Sequence, residues 1–155
     1  MNNASVVLVG THSGLTGKDG ASHQALEDIA LLSSLPNIKI FQPADAKETE
    51  QIVDFLAQNQ MPAYLRISRH PQEDVHEEDF KFEYKKAKKI YGKGEPSAAI
   101  FSTGYITTHA VEAAKILEKE GIPIDVVNFS TLKPIDKETI IKYGGLKGII
   151  TLEDH

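Results

Sequence analysis

Short apolar runs that favour β-strands alternate with amphipathic patterns that favour helices along most of this 155-residue chain. The runs are rich in β-branched residues and are bounded by glycine, proline or polar residues, which is typical of buried strands. They lie at 5–9, 38–41, 63–67, 98–101, 124–129 and 148–152. Strands that alternate with helices form parallel sheets with right-handed crossovers. The sequence therefore predicts an α/β fold with two successive open, mainly parallel sheets, each incomplete and flanked by helices.

Helical patterns occupy the segments between these runs. Ser22 is placed to cap a helix over 23–32, which would put His23 in the first turn. Asp45 and Glu48 have the spacing of a capping box that opens a second helix. This second helix is expected to continue to about residue 58. Two further helices are expected, one over 108–120 and one that begins near 136.

The segment between the two predicted sheets is strongly charged. Residues 72–79 are acidic and contain almost no apolar side chains, which predicts a surface linker. Residues 80–89 alternate Phe80, Phe82 and Tyr84 with charged residues, which predicts an exposed strand. The lysines of this strand would protect a sheet edge from pairing with another chain, and we give them no catalytic role.

Composition excludes several classes of function. With 17 basic and 22 acidic residues the net charge is -5, and the chain has no basic stripe of the kind that nucleic acids or anionic membranes require. Cysteine is absent, so disulfides and thiolate metal sites are excluded, and a reducing cytoplasm fits this composition. No apolar run approaches the ~18 residues that suggest a membrane span.

Polar chemistry is concentrated in the loop that follows the first predicted strand. Three glycines recur there at a spacing of three, at Gly14, Gly17 and Gly20. Ligand sites of open α/β sheets lie at the carboxyl ends of the strands, where this loop would be. The spacing matches neither the dinucleotide fingerprint nor the Walker pattern, so flexibility alone would also account for the glycines.

The residues of this loop resemble a known family. Thr11-His12, then GKDGASHQ at 17–24 and LPNI at 35–38, closely resemble the transketolase pattern "TH…GEDGPTHQ…LPN". Downstream, ISR at 67–69 is similar to the family's "LSR". FSTG at 101–104 with VEAA at 111–114 resembles its "ATGSE…VEAA". These landmarks occur in the family's order and cover nearly the whole chain, so we identify it as resembling a transketolase of the split, two-subunit kind.

The resemblance implies a domain organisation and an absent half of the active site. Residues 1–72 would be the second half of the pyrimidine-binding domain, 73–94 a linker and edge strand, and 95–155 the first part of the carboxy-terminal domain. The family uses thiamine diphosphate with Mg²⁺. Neither its activating glutamate nor its Gly-Asp-Gly motif is present in this sequence, so residues outside this chain would bind most of the cofactor. The implied partner is an amino-terminal transketolase subunit or domain in a homo- or hetero-oligomer.

The resemblance also implies roles for four residues in the transfer of a two-carbon ketol unit between phosphorylated sugars. His23 would be catalytic and would transfer protons near the reacting carbonyl. His12, Asp19 and Arg69 would bind the substrate, Asp19 through a sugar hydroxyl and the other two through the phosphate. No residue of the chain is assigned as a metal ligand.

Three alternatives stay open at this point. The chain could be a non-catalytic remnant or assembly partner of a thiamine diphosphate enzyme, or a fragment of deoxyxylulose-phosphate synthase. The ending TLEDH at 151–155 resembles the "TVEEH" of that synthase and of oxo-acid dehydrogenase beta subunits, whereas the His23-Gln24 pair favours transketolase. The loop is about one residue shorter than the family's. Four histidines are expected to be solvent or cap residues without a function: His70, His76, His109 and His155.

Overall fold

The computed structural model describes residues 4–15, 20–71 and 73–154, and these residues form two four-stranded sheets flanked by helices. This arrangement confirms the predicted α/β class. The strands are β1 Val7–Thr11, β2 Lys39–Phe41, β3 Ala63–Ile67, β4 Lys88–Tyr91, β5 Ala98–Ser102, β6 Ile124–Asn128, β7 Thr131–Lys133 and β8 Ile149–Leu152. The helices are α1 Asp28–Ser33, α2 Ala46–Gln58, α3 Thr107–Lys119 and α4 Lys137–Tyr143, with single 3₁₀ turns at Ala21–His23 and Gly104–Ile106.

The first sheet has the strand order β1-β3-β2-β7. Its first three strands are parallel, and β7 is antiparallel to β2, with Ile40 opposite Lys133. Strand β7 was not predicted, because three residues directly after β6 give too short a pattern to be recognised. It comes from the second half of the chain, so the first sheet is completed by residues distant in sequence.

The second sheet has the order β4-β6-β5-β8, with β4 antiparallel and the other strands parallel. Helix α3 packs on β5 and β6 through Ala110 and Ala114, which are fully buried beside Ile100 and Val126. These alanines lie four residues apart and form one narrow face of the helix, so the helix can approach the sheet closely.

Two local predictions are wrong for reasons of tertiary structure. Ser22 does not cap a helix over 23–32, and α1 begins only at Asp28 without a side-chain cap. Gln24 is extended and Ala25 forms a backbone bridge with Gly14, which prevents an earlier helix start.

The aromatic residues of 80–89 do not form an exposed strand either. Phe82 and Tyr84 pack against Phe55 of α2, with ring centroids 5.6 and 5.0 Å apart, and strand β4 begins only at Lys88. Aromatic burial outweighs the alternating pattern here, since each such ring removes a large apolar area from water. Strand β4 does lie at an edge of its sheet, as the lysines suggested.

A buried polar cluster joins the two sheets at the start of α2. Asp45 caps the helix by accepting a hydrogen bond from the amide of Glu48 at 2.9 Å, as predicted. The carboxylate of Glu48 accepts from the amide of Ala44 and from the side chain of Asn128 in β6, at 2.8 and 2.9 Å. Glu48 therefore bonds to the amide of the residue before Asp45, whereas a standard capping box would use the amide of Asp45 itself. Burial raises the pKa of Glu48.

His76 belongs to this cluster, which corrects the expectation of a solvent or cap residue. It is buried, and its Nδ1 lies 2.8 Å from Oδ2 of Asp45. The backbone amides of Val75 and His76 donate to the same oxygen at 3.0 and 2.9 Å. Burial alone would raise the pKa of Asp45, but the hydrogen bonds from His76 and from the backbone amides outweigh it and lower the pKa to about 2.

We expect Asp45→Ala to lower the free energy of unfolding at neutral pH by about 2 kcal/mol or more, because it removes a helix cap and leaves buried donors unsatisfied. The folded-state pKa is depressed below its ordinary value of 3.8, so this stability is present above that value and is lost as the pH falls towards about 2. Urea unfolding of the unmodified chain and of Asp45→Ala, at pH values from neutral to strongly acidic, measures the difference in their free energies of unfolding. Asp54→Ala, at an exposed position of the same helix, is the control; a loss independent of pH would contradict the assignment.

Candidate functional site

The carboxyl ends of β1 and β3 bring two of the predicted site residues to one edge of the first sheet. The two strands are parallel neighbours, and Thr11 and Ile67 are their last paired residues. His12 follows Thr11 directly, exposed and with a φ of 61°, and Arg69 lies two residues beyond Ile67. The buried Ser13 hydroxyl donates to the carbonyl of Ile67 at 3.3 Å and ties the two strand ends together.

The loop after β1 returns to the sheet edge and carries His23. The amide of Gly14 donates to the carbonyl of Ala25 at 3.0 Å, which brings the two ends of the loop together; we call its described parts, residues 14–15 and 20–25, the site loop. His23 lies at the end of the 3₁₀ turn Ala21–His23, exposed, with its Nδ1 3.0 Å from the Ser22 hydroxyl. Asp19 lies outside the described residues.

The rim of the site includes His70 and Tyr105, to which sequence reasoning gave no role. Nε2 of His70 lies 3.2 Å from the carbonyl oxygen of Leu15 in the site loop. The His70 ring stacks on Tyr105, in the turn after β5, with ring centroids 4.7 Å apart. The second sheet therefore contributes to the rim. Among the other unassigned histidines, His109 is exposed as expected, and His155 lies outside the described residues.

Beneath the site loop lies Arg66 of β3, whose side chain is only 2% exposed. Its Nε donates to Asp28 at 2.9 Å, its Nη1 to Asp154 at 2.7 Å and its Nη2 to the carbonyl of Ala25 at 3.4 Å. Burial opposes the charge, but the carboxylates of Asp154 and Asp28 outweigh it and raise the pKa of Arg66. Tyr64 donates to the same oxygen of Asp28 at 2.6 Å. The sequence offered one signal for this network: Arg66 is the single charged residue in the apolar run 63–67.

Two glycines next to this network leave no room for a side chain. A Cβ on Gly10 would overlap the Tyr64 hydroxyl, which lies across the β1–β3 pair. A Cβ on Gly14 would overlap the carboxylate of Asp154, and Gly14 also has a φ of 84°, in the left-handed region that favours glycine. Of the three glycines singled out in the sequence, Gly14 thus serves packing, whereas a Cβ on Gly20 would meet no atom within 4 Å.

A cavity with a volume of about 370 Å³ lies elsewhere, beside β5 and β8. Phe101, Phe129, Leu132, Ile149 and Leu152 are among its lining residues. A mainly apolar lining does not suit a charged ligand, so we do not assign the candidate site to this cavity.

The described residues contain no group of three or more histidine, aspartate or glutamate side chains that could hold a metal ion. They also include no helix with the length and apolar character needed to cross a membrane.

Comparison with known proteins identifies the family. Residues 1–72 match the model of the transketolase pyrimidine binding domain, and residues 86–155 match that of the transketolase C-terminal domain. Together the two matches cover most of the chain in the order in which its two sheets occur. The chain belongs to the transketolase family.

Individual relatives give the same result. The chain is 39% identical, over 97% of its length, to a Methanocaldococcus jannaschii protein provisionally named as a transketolase C-terminal section, of which it covers 47%. It is 35% identical, over 97% of its length, to one of the subunits of the apulose-4-phosphate transketolase of Phocaeicola vulgatus, of which it covers 48%. A solved split-gene transketolase, described as an inactive β4 tetramer, matches 99% of this chain at 40% identity with a TM-score of 0.87, and 49% of that protein is covered. The chain thus spans about half the length of these relatives.

Proposed function

We propose that this chain supplies the substrate-facing half of a transketolase active site, in which a two-carbon ketol unit is transferred between phosphorylated sugars. The observation that carries the proposal is the convergence of His12, Arg69 and the site loop with His23 at one sheet edge. This edge belongs to the segment that matches the pyrimidine binding domain. Relatives that are named as a subunit or as a section, and of which this chain spans about half, support a role within a larger assembly.

Thiamine diphosphate is the cofactor that the family implies. The described residues do not offer a metal-binding group, so they do not fit the site of the diphosphate and its Mg²⁺, and we assign that site to residues outside this chain. When bound, the cofactor supplies the carbanion chemistry. The residues of this chain would bind and orient the sugar and move protons.

His23 is the proposed proton carrier. An imidazole changes its charge near neutral pH, so it can both donate and accept a proton during a single turnover. The Ser22 hydroxyl beside Nδ1 restricts the orientation of the ring. This contact gives Ser22 a positioning role in place of the predicted helix cap.

Arg69 and His12 are the proposed phosphate ligands. The planar guanidinium of Arg69 can donate two parallel hydrogen bonds to a phosphate, and His12 follows the neighbouring strand at the same edge. Asp19 is proposed to accept a hydrogen bond from a sugar hydroxyl and so to select its stereochemistry.

The exposed edge strand β1 supports association with a partner. Val7, Leu8 and Val9 are 39, 48 and 54% exposed, so apolar side chains are accessible on both faces of this strand. Contiguous apolar surface of this kind is typical of interfaces. The amino-terminal transketolase subunit or domain is the proposed occupant. A homologous chain forms a tetramer described as inactive, which is consistent with a need for that partner.

We expect the isolated chain to show neither ketol transfer nor tight binding of thiamine diphosphate, because it would hold only one side of the cofactor. A mixture with the amino-terminal subunit from the same genome should transfer ketol units. Calorimetric titration with the cofactor and Mg²⁺, with a coupled assay of sugar phosphates, tests both statements. An inactive mixture that nevertheless forms a stable complex would favour the non-catalytic assembly partner.

In the active mixture, His23→Ala should lower the turnover rate by roughly 10²- to 10⁴-fold while the cofactor stays bound, because the proton carrier is removed. His109→Ala is the matched control, since His109 is an exposed histidine outside the site loop. Steady-state kinetics and cofactor titration of both variants give the comparison. Equal turnover in the two variants would exclude His23 from the mechanism.

Arg69→Ala should raise the Michaelis constant for phosphorylated sugars more than for non-phosphorylated analogues, because only the former can accept its charged hydrogen bond, worth roughly 1.5–3 kcal/mol. Arg69→Lys keeps the charge but loses the planar fork, so its defect should be intermediate. The measurement is the ratio of Michaelis constants for the two kinds of substrate. If both kinds lose equally, Arg69 supports the fold and does not bind phosphate.

A further inference from the structure

We propose that Arg66 and Asp154 form a positioning pair that fixes the site loop, so that the end of the second sheet sets the position of His23. The expected effect on turnover rests on the proposed function. The effect on the position of the site loop does not. Neither residue belongs to the predicted set of His12, Asp19, His23 and Arg69. Both act through the backbone of the site loop.

The first step is the burial of a positive charge. Arg66 lies on β3, the strand between β1 and β2, and is 2% exposed, while Asp154 is 5% exposed. A buried charge is tolerated only when its donors and acceptors are paired, and removal of one partner strongly destabilises the other. The ion pair between Nη1 of Arg66 and Oδ1 of Asp154, at 2.7 Å, therefore constrains both side chains tightly.

The second step is the origin of the acceptors. Asp28 begins α1, Ala25 closes the site loop, and Asp154 follows β8 of the second sheet. The rigid guanidinium fork contacts all three, so it fixes their relative positions in one plane. The carbonyl of Ala25 also accepts from the amide of Gly14. Arg66 therefore acts on the hydrogen bond that closes the site loop.

The third step is the direct contact between Asp154 and the loop. Any side chain on Gly14 would overlap the Asp154 carboxylate, so the backbone of the loop lies against that group. Oδ1 of Asp154 also accepts from the side chain of Gln42, beyond β2, at 3.4 Å. The carboxylate is held from two sides and limits how far the loop can move towards the sheet.

The consequence for catalysis follows from geometry. A reacting group must be held within about half an ångström of its productive position, and a displacement of about 1 Å can cost on the order of 10²-fold in rate. His23 is exposed in a short turn, and the closure of the loop at Gly14 and Ala25 attaches that turn to the sheet. Loosening that closure should lower turnover even though His23 is unchanged.

The test is Asp154→Asn, which keeps the shape of the side chain and removes its charge. The control is Asp125→Asn: Asp125 is a buried aspartate in β6 that accepts from Tyr143 at 2.8 Å and pairs with Lys89 at 2.8 Å. Like Asp154, its carboxylate lies against a glycine, Gly92. In the active mixture we expect Asp154→Asn to lower kcat about 10- to 100-fold with little change in KM, and Asp125→Asn to leave kcat unchanged.

Amide hydrogen exchange of the chain by itself gives a second readout, which does not depend on activity. Exchange at Gly14 should rise about tenfold or more in Asp154→Asn but not in Asp125→Asn. The amide of Thr49 in α2, which donates to the carbonyl of Asp45, is the internal reference, and its exchange rate should not change. Arg66→Lys should shift the Gly14 exchange in the same direction, because it keeps the charge and loses the fork.

Two results would overturn the inference. Unchanged exchange at Gly14 in Asp154→Asn would show that the pair does not control the loop. Equal increases at Gly14 and Thr49 would show that it supports the fold as a whole. If the unmodified mixture transfers no ketol unit, the proposed function fails, and the exchange at Gly14 still decides whether Arg66 and Asp154 position the loop.

Discussion

A guanidinium buried in the middle of the first sheet constrains the architecture around it. Arg66 cannot be left unpaired at 2% exposure, so carboxylates from α1 and from the end of the second sheet must reach it. These contacts fix where α1 begins, where the site loop closes and how the last described residues lie against the first sheet. The position of the exposed His23 depends on this buried charge through the backbone of Ala25.

Polar contacts help to join the two sheets. Glu48 of α2 receives a hydrogen bond from Asn128 of β6, and Thr103 after β5 contacts Gln42 after β2 at 3.5 Å. Strand β7 adds backbone pairing, because it leaves the second half of the chain and joins β2. Hydrogen bonds depend on direction, so such a joint specifies one relative orientation more narrowly than apolar packing alone would. The stacking of Tyr105 from one sheet on His70 from the other, at the rim of the site, depends on this orientation.

The family assignment and the geometry carry different parts of the functional conclusion. Matches to two transketolase domains identify the family, whereas the fold shows how the segments bearing His12, His23 and Arg69 reach one edge of a sheet. The chain spans about half of its split relatives. The proposal of a shared active site connects these observations.

Local patterns in the sequence determined most of the strands and the longer helices. The apolar runs at 38–41, 63–67 and 124–129 became β2, β3 and β6 within a residue or two, and Asp45 caps α2 as its spacing required. The order of strands and loops also predicted that the candidate site would follow β1. These features depend on interactions between residues close in sequence, which a pattern can record.

Only the tertiary structure decided the features that depend on distant contacts. The Gly14–Ala25 bridge prevents an earlier start of α1, and Phe82 and Tyr84 pack against Phe55 instead of forming an exposed strand. His76 is buried beside Asp45, which accepts a hydrogen bond from the backbone amide of His76. The pairing of Arg66 with Asp154 joins residues 88 positions apart. A local pattern marks the charged residue in an apolar strand, but it does not contain the partner, because that partner is chosen by how the two sheets pack.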